Sequence, residues 1–530
     1  MKSILSIISV CLIVLQLHAQ KEFHVFPKDH QIIKGSEEGD GSLQNPWDLQ
    51  TALSQKPDVV NGGDTIWLHG GVYSGRFNSQ LYSTINGKNI IVASYEDEWA
   101  ILNGNVPGPA VATLSIRGKN VTYQNFEISP IGLTIRDETI EGFRQFGGIS
   151  HNAGANCKFI NLIIHGNNGL GFGSWNKTGG TIISNCIVYD NGYIGKEYPG
   201  LGEGFYVQND SDSETRILKD NIIFNNYYKG IEVWSANKKA DREYVKNITL
   251  DNNVIFNSGL VSGRTVDNII VASNDRNGIN VAKNINVTNN ILYHNTNYKG
   301  NEVDGDAPSL TIGYYHKAPV ENVIVSNNVI LGRNNPLRLL YAKSVSVTNN
   351  ILYGGYIHLL SPAASNLKPK SLNKNIYFTK NKTPFRVDKE KYLFGNWQSA
   401  FKQDTDSEHR NIKEFNLNPV LDITKNDFKP NSYRVVLFSK EGSAVNVDFS
   451  EYSIPANTKY IIKDVENLDS VLKRGVLNDS ALIEIPMNLE KADNKTLNNF
   501  GVFIVEFEVP KTIEKLEQES FFKRFFKWLF

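Results

Sequence analysis

Apolar and polar residues alternate in one short pattern that recurs between residues 85 and 380. Each copy is an apolar-alternating run that ends in Asn and is followed by a second apolar pair, as in residues 248–253 followed by Val254-Ile255. Alternation of this kind predicts β-strands. The closing Asn residues stand at positions 125, 161, 185, 221, 253, 290, 328, 350 and 375, which lie 22 to 38 residues apart. Repetition at such a period predicts an array of stacked structural repeats.

The Asn at the end of each run indicates how the chain turns. Two short strands joined through one residue need a tight bend, and Asn tolerates the left-handed backbone that such a bend requires. In stacked coils the Asn amides can also hydrogen-bond to one another as a buried ladder. Leucine-rich and helical repeats fit poorly, because the Leu pattern and the 3.6-residue period are both absent. The middle of the chain therefore predicts a parallel β-helix.

The chain before residue 74 predicts how the array begins. After the motif Asn-Pro-Trp-Asp at 45–48, Asp48 would cap a short helix that ends near Leu53, and Thr65–Leu68 alternates like a strand. This arrangement resembles the N-terminal part of secreted right-handed parallel β-helix proteins of the pectate-lyase-like class, in which a short helix covers the open end of the solenoid. The resemblance implies an all-β fold, a right-handed parallel β-helix with an N-terminal cap helix, over residues 21–430.

The alternation changes character after the last repeat. Residues 433–510 hold alternating runs separated by turns, which predicts a small antiparallel β-sandwich as a separate domain at 431–510. Its pattern resembles the accessory β-domains that follow secreted carbohydrate enzymes. Residues 511–530 predict an amphipathic helical tail, basic and aromatic at its end. Two interpretations of the tail are open, contact with a membrane surface and packing against the sandwich.

The first 20 residues form a unit of their own. Lys2 precedes an apolar run from Ile4 to Leu17, and the small residue Ala19 follows. The run is too short for a membrane span and has the form of a secretory signal peptide, residues 1–20, with cleavage after Ala19. We therefore expect a secreted protein, extracellular or periplasmic, without a stable membrane span.

Composition and cysteine content indicate which binding partners to expect and whether disulfides stabilise the fold. The chain has 55 Lys plus Arg and 55 Asp plus Glu, so no net charge favours nucleic acid, and we predict a monomer without a nucleic-acid partner. Two cysteines remain after the signal peptide, Cys157 and Cys186. One disulfide and two buried free thiols are both open, and the different phases of the two residues in the repeat favour free thiols.

A third strand in each coil carries the candidate chemistry. On two of these strands, alternation places Phe205, Val207, Ile231 and Val233 inside. The outward residues of the third strands are then Tyr206, Gln208, Glu232, Trp234, Ala272, Asn274, Thr311 and Tyr315. The inserted loops that flank this strip are 129–146, 192–202, 257–267 and 296–308. A strip walled by long loops forms a groove, which suits a polymer better than a compact metabolite.

Secreted β-helix proteins with such grooves include pectate lyases, polygalacturonases, carrageenan and fucan hydrolases, and alginate lyases. The resemblance extends over residues 25–430 and implies an enzyme that degrades a polysaccharide. It implies no particular reaction, because one fold carries many activities and no catalytic signature of a single family is present. The reaction must therefore be argued from the residues.

Glycoside hydrolysis needs two carboxylates, about 5–5.5 Å apart for retention or about 6.5–9.5 Å apart for inversion. Glu232 lies outward on one coil and Glu203 begins the third strand of the coil before it, and neighbouring coils lie about 4.8 Å apart. The pair therefore predicts the acid and the base or nucleophile. The catalytic candidates are Glu232, Glu203, Tyr206, His151 and Lys229. Glu232 also has a purely structural interpretation, a surface residue paired with Lys229 or Lys238.

Aromatic and polar residues on the same strip are the candidates for substrate binding. They are Trp175, Gln208, Trp234, Asn274, Arg276 and Tyr315. The aromatic rings would stack on sugars, and the cation Arg276 would meet an acidic or sulfated group. Our first hypothesis is a secreted glycoside hydrolase that acts on an acidic or sulfated polysaccharide of the fucan, carrageenan or pectin type.

Two alternatives stay open. A polysaccharide lyase would cleave a uronate-containing glycan by β-elimination, with Lys229, Arg276, Tyr206 or His151 as the base and Ca²⁺ on the uronate carboxylate. The candidate Ca²⁺ ligands are Asp304 and Asp306, with Glu302, around Gly305, and a second acidic cluster is Asp210, Asp212 and Glu214. Solvated acidic turns are the commoner explanation of such clusters, so Ca²⁺ is the one cofactor considered and none is required. The other alternative is a glycan-binding β-helix without catalytic activity.

Overall fold

The computed structural model describes residues 20–108, 111–298, 301–487 and 498–508, and of residues 297, 298, 301 and 302 it describes the backbone alone. The predicted signal peptide (apart from Gln20) and the predicted tail at 511–530 lie outside these residues. Within them, no helix is long and apolar enough to cross a membrane. The chain divides into two compact units between Ile412 and Lys413.

Three sheets of twelve strands each build the first unit, and neighbouring strands of a sheet come from successive coils. The first sheet consists of Glu22–Val25, Thr65–Leu68, Ile90–Ser94, Val121–Gln124, Lys158–Ile160, Ile182–Ser184, Arg216–Lys219, Lys246–Asp251, Lys283–Thr288, Glu321–Ser326, Val345–Thr348 and Leu372–Asn373. The second sheet consists of Gly71–Ser74, Ala100–Asn103, Glu127–Ile128, Ile163–His165, Ile187–Tyr189, Ile222–Phe224, Val254–Phe256, Ile291–Tyr293, Val329–Leu331, Ile351–Gly354, Ile376–Thr379 and Glu408–Asn411.

The third sheet carries the candidate chemistry. It consists of Phe77–Ser79, Ala112–Ile116, Gly147–His151, Phe172–Ser174, Phe205–Val207, Ile231–Val233, Ile269–Val271, Leu310–Ile312, Leu337–Leu339, Ile357–Leu359, Phe385–Val387 and Glu390–Tyr392. Its last two strands pair antiparallel, and the other strands pair parallel. Three long parallel sheets that share their coils confirm the predicted parallel β-helix.

Short elements close the coils. The helix Leu49–Leu53 is capped by Asp48, whose carboxylate accepts the Thr51 N–H at 2.9 Å, as predicted. The remaining described helices are Ser361–Asn366 and Phe394–Phe401, and the 3₁₀ turns are Leu260–Ser262, Ile412–Glu414, Ser450–Tyr452 and Val465–Asn467. A two-stranded hairpin joins Asn297–Tyr298 to Asn301–Glu302.

One apolar core fills the β-helix. Phe205, Val207, Ile231 and Val233 are all 0% exposed, which confirms the phase that alternation predicted for the third sheet. The cysteines Cys157 and Cys186 are buried free thiols, as their phases in the repeat favoured. The core therefore stabilises the coils without a disulfide in the described residues.

The two roles predicted for each repeated Asn, the left-handed bend and the buried ladder, are divided between coils. Asn125, Asn161 and Asn185 adopt the left-handed backbone at the bend, with φ of 59°, 51° and 55°. From the coil of residue 221 onward, the left-handed residue is the one before the repeated Asn, for example Asn252 with φ of 52°. The bend needs one left-handed residue, and the residue after it points into the core, so Asn at the second position is free to build a ladder.

The Asn residues at this second position, directly after the left-handed residue, form the predicted buried ladder of amides. Each Asn donates from Nδ2 to Oδ1 of the Asn in the next coil, at 2.8 to 3.1 Å. The members are Asn221, Asn253, Asn290, Asn328, Asn350 and Asn375, which we call the Asn ladder. A shorter ladder that the sequence pattern did not reveal runs through Asn167, Asn191 and Asn226, at 2.9 and 3.1 Å. Both satisfy buried polar groups that the bends would leave unpaired.

The second unit contains two antiparallel sheets that share one core. The five-stranded sheet has the order Val420–Lys425, Ser432–Phe438, Phe500–Phe507, Lys459–Asp464 and Lys473–Val476. The two-stranded sheet joins Val445–Asp448 to Leu482–Ile485. The strand Val420–Lys425, which the prediction placed before a boundary at residue 430, pairs with Ser432–Phe438 and is the edge of this sheet.

Candidate active site

One row of side chains on the outer face of the third sheet organises the site. Strand register aligns one outward residue from each coil, and we call this row the outward ladder. Its members, in chain order, are Asn78, Ser115, Ser150, Gly173, Tyr206, Glu232, Ile270, Thr311, Arg338, His358 and Arg386. The first four are small, and the remainder, apart from Thr311, are large, charged or aromatic. The chemistry therefore begins at Tyr206.

A second row stands where three of these strands begin. Gly204 donates its N–H to the Lys229 carbonyl at 3.0 Å, and Gly230 donates to the Asp267 carbonyl at 3.4 Å. Glu203, Lys229 and Asp267 therefore occupy equivalent positions on three successive coils, and we call them the corner row. Along this row a lysine thus lies between two acidic residues, and the backbones of neighbouring coils are about 4.8 Å apart.

The two rows line a cavity of about 620 Å³. Its wall includes Glu203, Tyr206, Tyr228, Lys229, Glu232, Trp234, Arg264, Asp267, Asp306, Thr311, Tyr314 and Arg338. Loop residues from 264–267 and 306–308 form one side of the wall, which agrees with the predicted role of two of the inserted loops. Its polar groups converge between aromatic rings, as in pockets that bind carbohydrate-sized ligands.

Glu232 lies on the floor of this cavity and is 4% exposed. Its Oε1 accepts a hydrogen bond from the Lys229 ammonium, which also donates to the Tyr228 hydroxyl at 2.7 Å. Lys229 lies over the Tyr228 ring at 3.9 Å. Glu232 thus forms the ion pair with Lys229 that its structural interpretation predicted, and it does so inside the cavity rather than on an open surface.

Glu203 is the less buried residue of the pair. Burial of its carboxyl group raises the pKa of Glu203 well above its ordinary range, and the nearby negative charge of Glu232 raises it further, while Lys229 acts in the opposite direction. Glu203 is therefore a carboxyl that keeps its proton where an ordinary Glu has lost it. Its partner in the predicted pair, Glu232, forms the ion pair with Lys229.

Tyr206 and Lys229 are poorly suited to the role of base. Burial and the Glu232 charge raise the pKa of Tyr206, whose hydroxyl accepts the Ala236 N–H at 3.2 Å. Burial opposes the charge of Lys229, but Glu232, Tyr228 and Asp267 together hold the pKa of Lys229 above its ordinary value. Both groups therefore retain their protons near neutral pH.

Asp267, Thr311 and Arg338 form a network that the sequence reasoning did not assign to the site. Asp267 accepts from the Thr311 hydroxyl and from Arg338 Nη2 at 3.1 Å, and Arg338 Nε donates to Thr311 Oγ1 at 2.9 Å. The sequence does hold a signal that could have placed Asp267 in the site. Asp267 lies two residues before the inward Ile269, as Glu203 lies two residues before the inward Phe205. Thr311 was predicted to point outward, but without a role.

His151, a predicted catalytic residue, lies in the core and is wrong for that role. It is 0% exposed, packs edge-on against Phe159 at 5.2 Å, and its Nε2 lies 3.0 Å from the Gly154 carbonyl oxygen. Burial, with Arg216 nearby, lowers its pKa to about 3. His151 shares the inward phase of Ile149 on its strand, so it cannot reach a substrate in the groove.

Tyr315 was predicted as a stacking face, but Tyr314 lines the cavity instead. Strict alternation fails after Ile312, because Gly313 has a left-handed φ of 85°. The Tyr314 ring meets Trp234 edge-on at 4.9 Å, whereas Tyr315 lies under Arg276 at 5.2 Å. The prediction for Trp234 agrees with the cavity, and Tyr315 and Arg276 lie outside its described lining.

Trp175, Gln208 and Asn274 border the cavity without lining it. Trp175 folds over Gly173, where a Cβ would stand 3.1 Å from the ring, and its ring lies 5.1 Å from Tyr206. Gln208 donates to the Trp234 carbonyl at 3.1 Å. Asn274 is partly exposed, and its backbone N–H donates to Ser235 at 3.0 Å. Trp175 and Gln208 therefore support the aromatic residues next to the acid pair.

The predicted Ca²⁺ ligands do not converge. Asp304 forms an ion pair with Lys380 at 3.0 Å, whereas Asp306 lines the cavity. Asp212, of the other acidic cluster, pairs with Lys246. Across the described residues, no group of three or more His, Cys, Asp or Glu side chains could hold a metal ion. Lysines compensate Asp304 and Asp212, as solvated acidic turns would predict.

Comparison with known proteins agrees with the fold. Residues 116–259 match the family described as a right handed beta helix region. Pectate lyase L of Thermoclostridium stercorarium is 24% identical over 302 residues, which are 44% of this chain and 24% of that protein, so the match spans about a quarter of the relative.

Two solved structures are similar to this chain over about three quarters of its length. Pectate lyase Pel9A is 13% identical, with a TM-score of 0.42, over 76% of this chain and 84% of its own. The lacto-N-biosidase of Eubacterium ramulus is 13% identical, with a TM-score of 0.46, over 75% of this chain and 68% of its own. The family match and the sheet topology agree on a right-handed parallel β-helix.

Proposed function

We propose that this protein is a carbohydrate-active enzyme, a glycoside hydrolase that cleaves an acidic or sulfated polysaccharide. One observation carries the proposal: Glu203 and Glu232 line one cavity, and burial together with the charge of Glu232 raises the pKa of Glu203. A carboxyl with a raised pKa beside a second carboxyl is the pattern expected of a general acid and its partner base or nucleophile.

Roles follow from the environments of the two carboxyls. Glu203 holds a proton because burial and Glu232 raise its pKa, so it serves as the general acid that protonates the leaving oxygen. Glu232 forms an ion pair with the Lys229 ammonium and serves as nucleophile or base. Lys229 positions Glu232 and compensates its charge at 4% exposure, where an unpaired charge would be costly.

The cavity wall supports a sugar polymer with acidic groups. Tyr206, Trp234 and Tyr314 present aromatic rings on which sugar faces can stack. Arg264 lies over the Tyr228 ring at 5.3 Å, and within the described residues no carboxylate pairs with it. A guanidinium in this setting suits a carboxylate or sulfate group of the substrate. We also propose that the protein is exported, which its N-terminal sequence supports.

Digestion of a panel of neutral, uronate-containing and sulfated polysaccharides, with mass analysis of the products, tests this function. We expect products that have gained one water per cleavage, from an acidic or sulfated member of the panel. A protein that binds glycans in the panel and cleaves none of them would instead be a glycan-binding β-helix.

Elimination is the second candidate, because the curated relative that matches this chain is named a pectate lyase. A lyase would produce an unsaturated sugar end, which absorbs ultraviolet light, and its products would not gain water. The raised pKa values of Tyr206 and Lys229 and the burial of His151 argue against the bases predicted for this reaction. Appearance of ultraviolet absorbance during digestion would decide for elimination.

A further inference from the structure

Beyond the acid pair, the outward ladder continues into three basic residues. Arg338 is aligned with His358, and His358 with Arg386, so they follow one another on successive coils. Strands lie about 4.8 Å apart, which separates the two arginines by about 10 Å. We propose that Arg338, His358 and Arg386 form a subsite for the acidic groups of a polymer, carboxylate or sulfate, on the side of the cavity away from Glu203.

Arg386 is the member with an unused hydrogen-bond donor. Its guanidinium lies 3.5 Å from the centre of the Tyr356 ring, and Tyr356 is buried. Its Nε is buried and has no hydrogen-bond partner, and in the described chain no carboxylate lies within ion-pair distance of it. A buried donor without a partner costs free energy, so an anion that accepts from Arg386 removes that cost.

Hydrogen bonds within the protein orient the Arg338 guanidinium. Nε and Nη2 donate to Thr311 and Asp267, which fixes the guanidinium plane. In the described part of the protein, Nη1 donates no hydrogen bond, so it is available to a ligand oxygen. Asp267 compensates part of the Arg338 charge.

His358 lies between the two arginines and is half-buried. The charged and titratable groups that face it are Arg338, Arg386, Asp306, Asp388 and Tyr356. Burial and then the two arginines lower the pKa of His358, so it is neutral where an anion is absent. A bound anion would offset the arginine charges and favour the imidazolium. Binding therefore takes up a proton, and affinity for the anion rises as the pH falls.

The position of the subsite adds a substrate-binding role to the proposed function, and this interpretation rests on that function. Arg338 stands three coils beyond Glu232, about 14 Å along the sheet, with Ile270 and Thr311 between them. The distance between the two arginines is comparable to the length of one disaccharide. A polymer with an acidic group on alternate sugars would thus place one group on each arginine while its cleaved bond lies at Glu203 and Glu232.

Affinity measurement without cleavage tests the subsite. The Glu232→Gln protein is titrated with two probe pairs: polygalacturonate with its methyl ester, and carrageenan with its desulfated form. We expect tighter binding of at least one acidic member than of its neutral partner. Adding Arg386→Gln should weaken binding of that acidic member about tenfold and leave the neutral partner unchanged, because one charge-assisted contact is lost. The responding pair identifies the group as carboxylate or sulfate.

Arg117→Gln is the matched control, since it removes the same charge from an exposed position after strand Ala112–Ile116, outside the cavity. Equal weakening by Arg117→Gln, equal weakening on the neutral probes, or no binding of either acidic probe would overturn the subsite. If Arg386→Gln fails to fold, His358→Gln and Arg386→Lys carry the same test. Charge-dependent binding by a protein that cleaves no polymer would refute the proposed function and leave the subsite standing.

Discussion

The Asn ladder and the outward ladder run along the same β-helix, yet they use the repeat in opposite ways. The Asn ladder places the same residue at six successive coils, each 0 or 1% exposed, and each amide makes the same bond to the next. The outward ladder changes its residue at nearly every coil, from Tyr206 to Glu232 to Arg386. Identical side chains suit a stabilising array, whereas a site needs different groups at defined distances.

The comparison teaches where to look for function in a repeat protein. In the Asn ladder, any one member could be predicted from its neighbours, because each must satisfy the same buried groups. In the outward ladder, the departure from repetition is itself the signal. A substitution in the first ladder should therefore reduce stability, and one in the second should reduce catalysis.

Glu232→Gln should give the largest effect and acts on the outward ladder. Loss of the carboxylate should lower the rate of polysaccharide cleavage about a thousandfold, because positioned acid–base groups contribute on this scale. Gln keeps an acceptor for Lys229, so thermal unfolding should still show a folded protein. Glu197→Gln, an exposed glutamate of the loop 192–202, is the matched control and should keep full activity. Full activity of Glu232→Gln would refute the site.

Asn290→Ala should give the next largest effect and acts on the Asn ladder. It removes the bonds of Nδ2 to Asn328 and Leu250 and the acceptor of Asn253. Buried groups left unpaired should lower the free energy of unfolding by about 3 kcal/mol, measured by denaturant titration. Asn284→Ala, at an exposed position in the strand Lys283–Thr288 of the same coil, should cost less. Equal losses from the two variants would show that burial does not set the strength of the ladder.

The pH dependence of the cleavage rate tests the assignment of Glu203 as the general acid. Because its pKa is raised above its ordinary 4.5, Glu203 should supply its proton at neutral pH, and activity should fall about tenfold per pH unit above the raised value. The same shift stabilises the folded state below pH 4.5, and this contribution is lost as the pH rises through the folded pKa. Rates measured across pH with Glu203→Gln should lack the alkaline decline. A decline that persists in this variant would assign it to another group.

Tyr314→Ala should give the smallest effect and tests the register after Gly313. Loss of one stacking ring should raise KM about fivefold with little change in kcat, since aromatic contacts contribute on this scale. Tyr315→Ala is the matched control, because Tyr315 lies under Arg276 and outside the described cavity lining. A larger rise in KM for Tyr315→Ala would show that alternation continues through Gly313 when substrate is bound.

Much of the fold could be predicted because the same local pattern of residues recurs in each coil. Alternation set the inward phase of Phe205 and Val207, and the spacing of the Asn residues predicted the coils. The left-handed backbone at Asn252 rather than Asn253 could not be assigned, because Asn is compatible with both positions of the bend. His151 was misassigned because a polar residue at an inward phase breaks no local rule until its surroundings are known.

The sequence by itself determined the solenoid, its cap helix, the inward face of the third sheet and the neighbouring coils of Glu203 and Glu232. These follow from periodicity, which is a property of residues close together along the chain. Only the tertiary structure decided that Lys229 pairs with Glu232, that Glu203 keeps its proton, and that Arg338 and Asp267 join the site. The physical reason is that these properties depend on distances across coils and on burial by loops of unequal length, which no local pattern encodes.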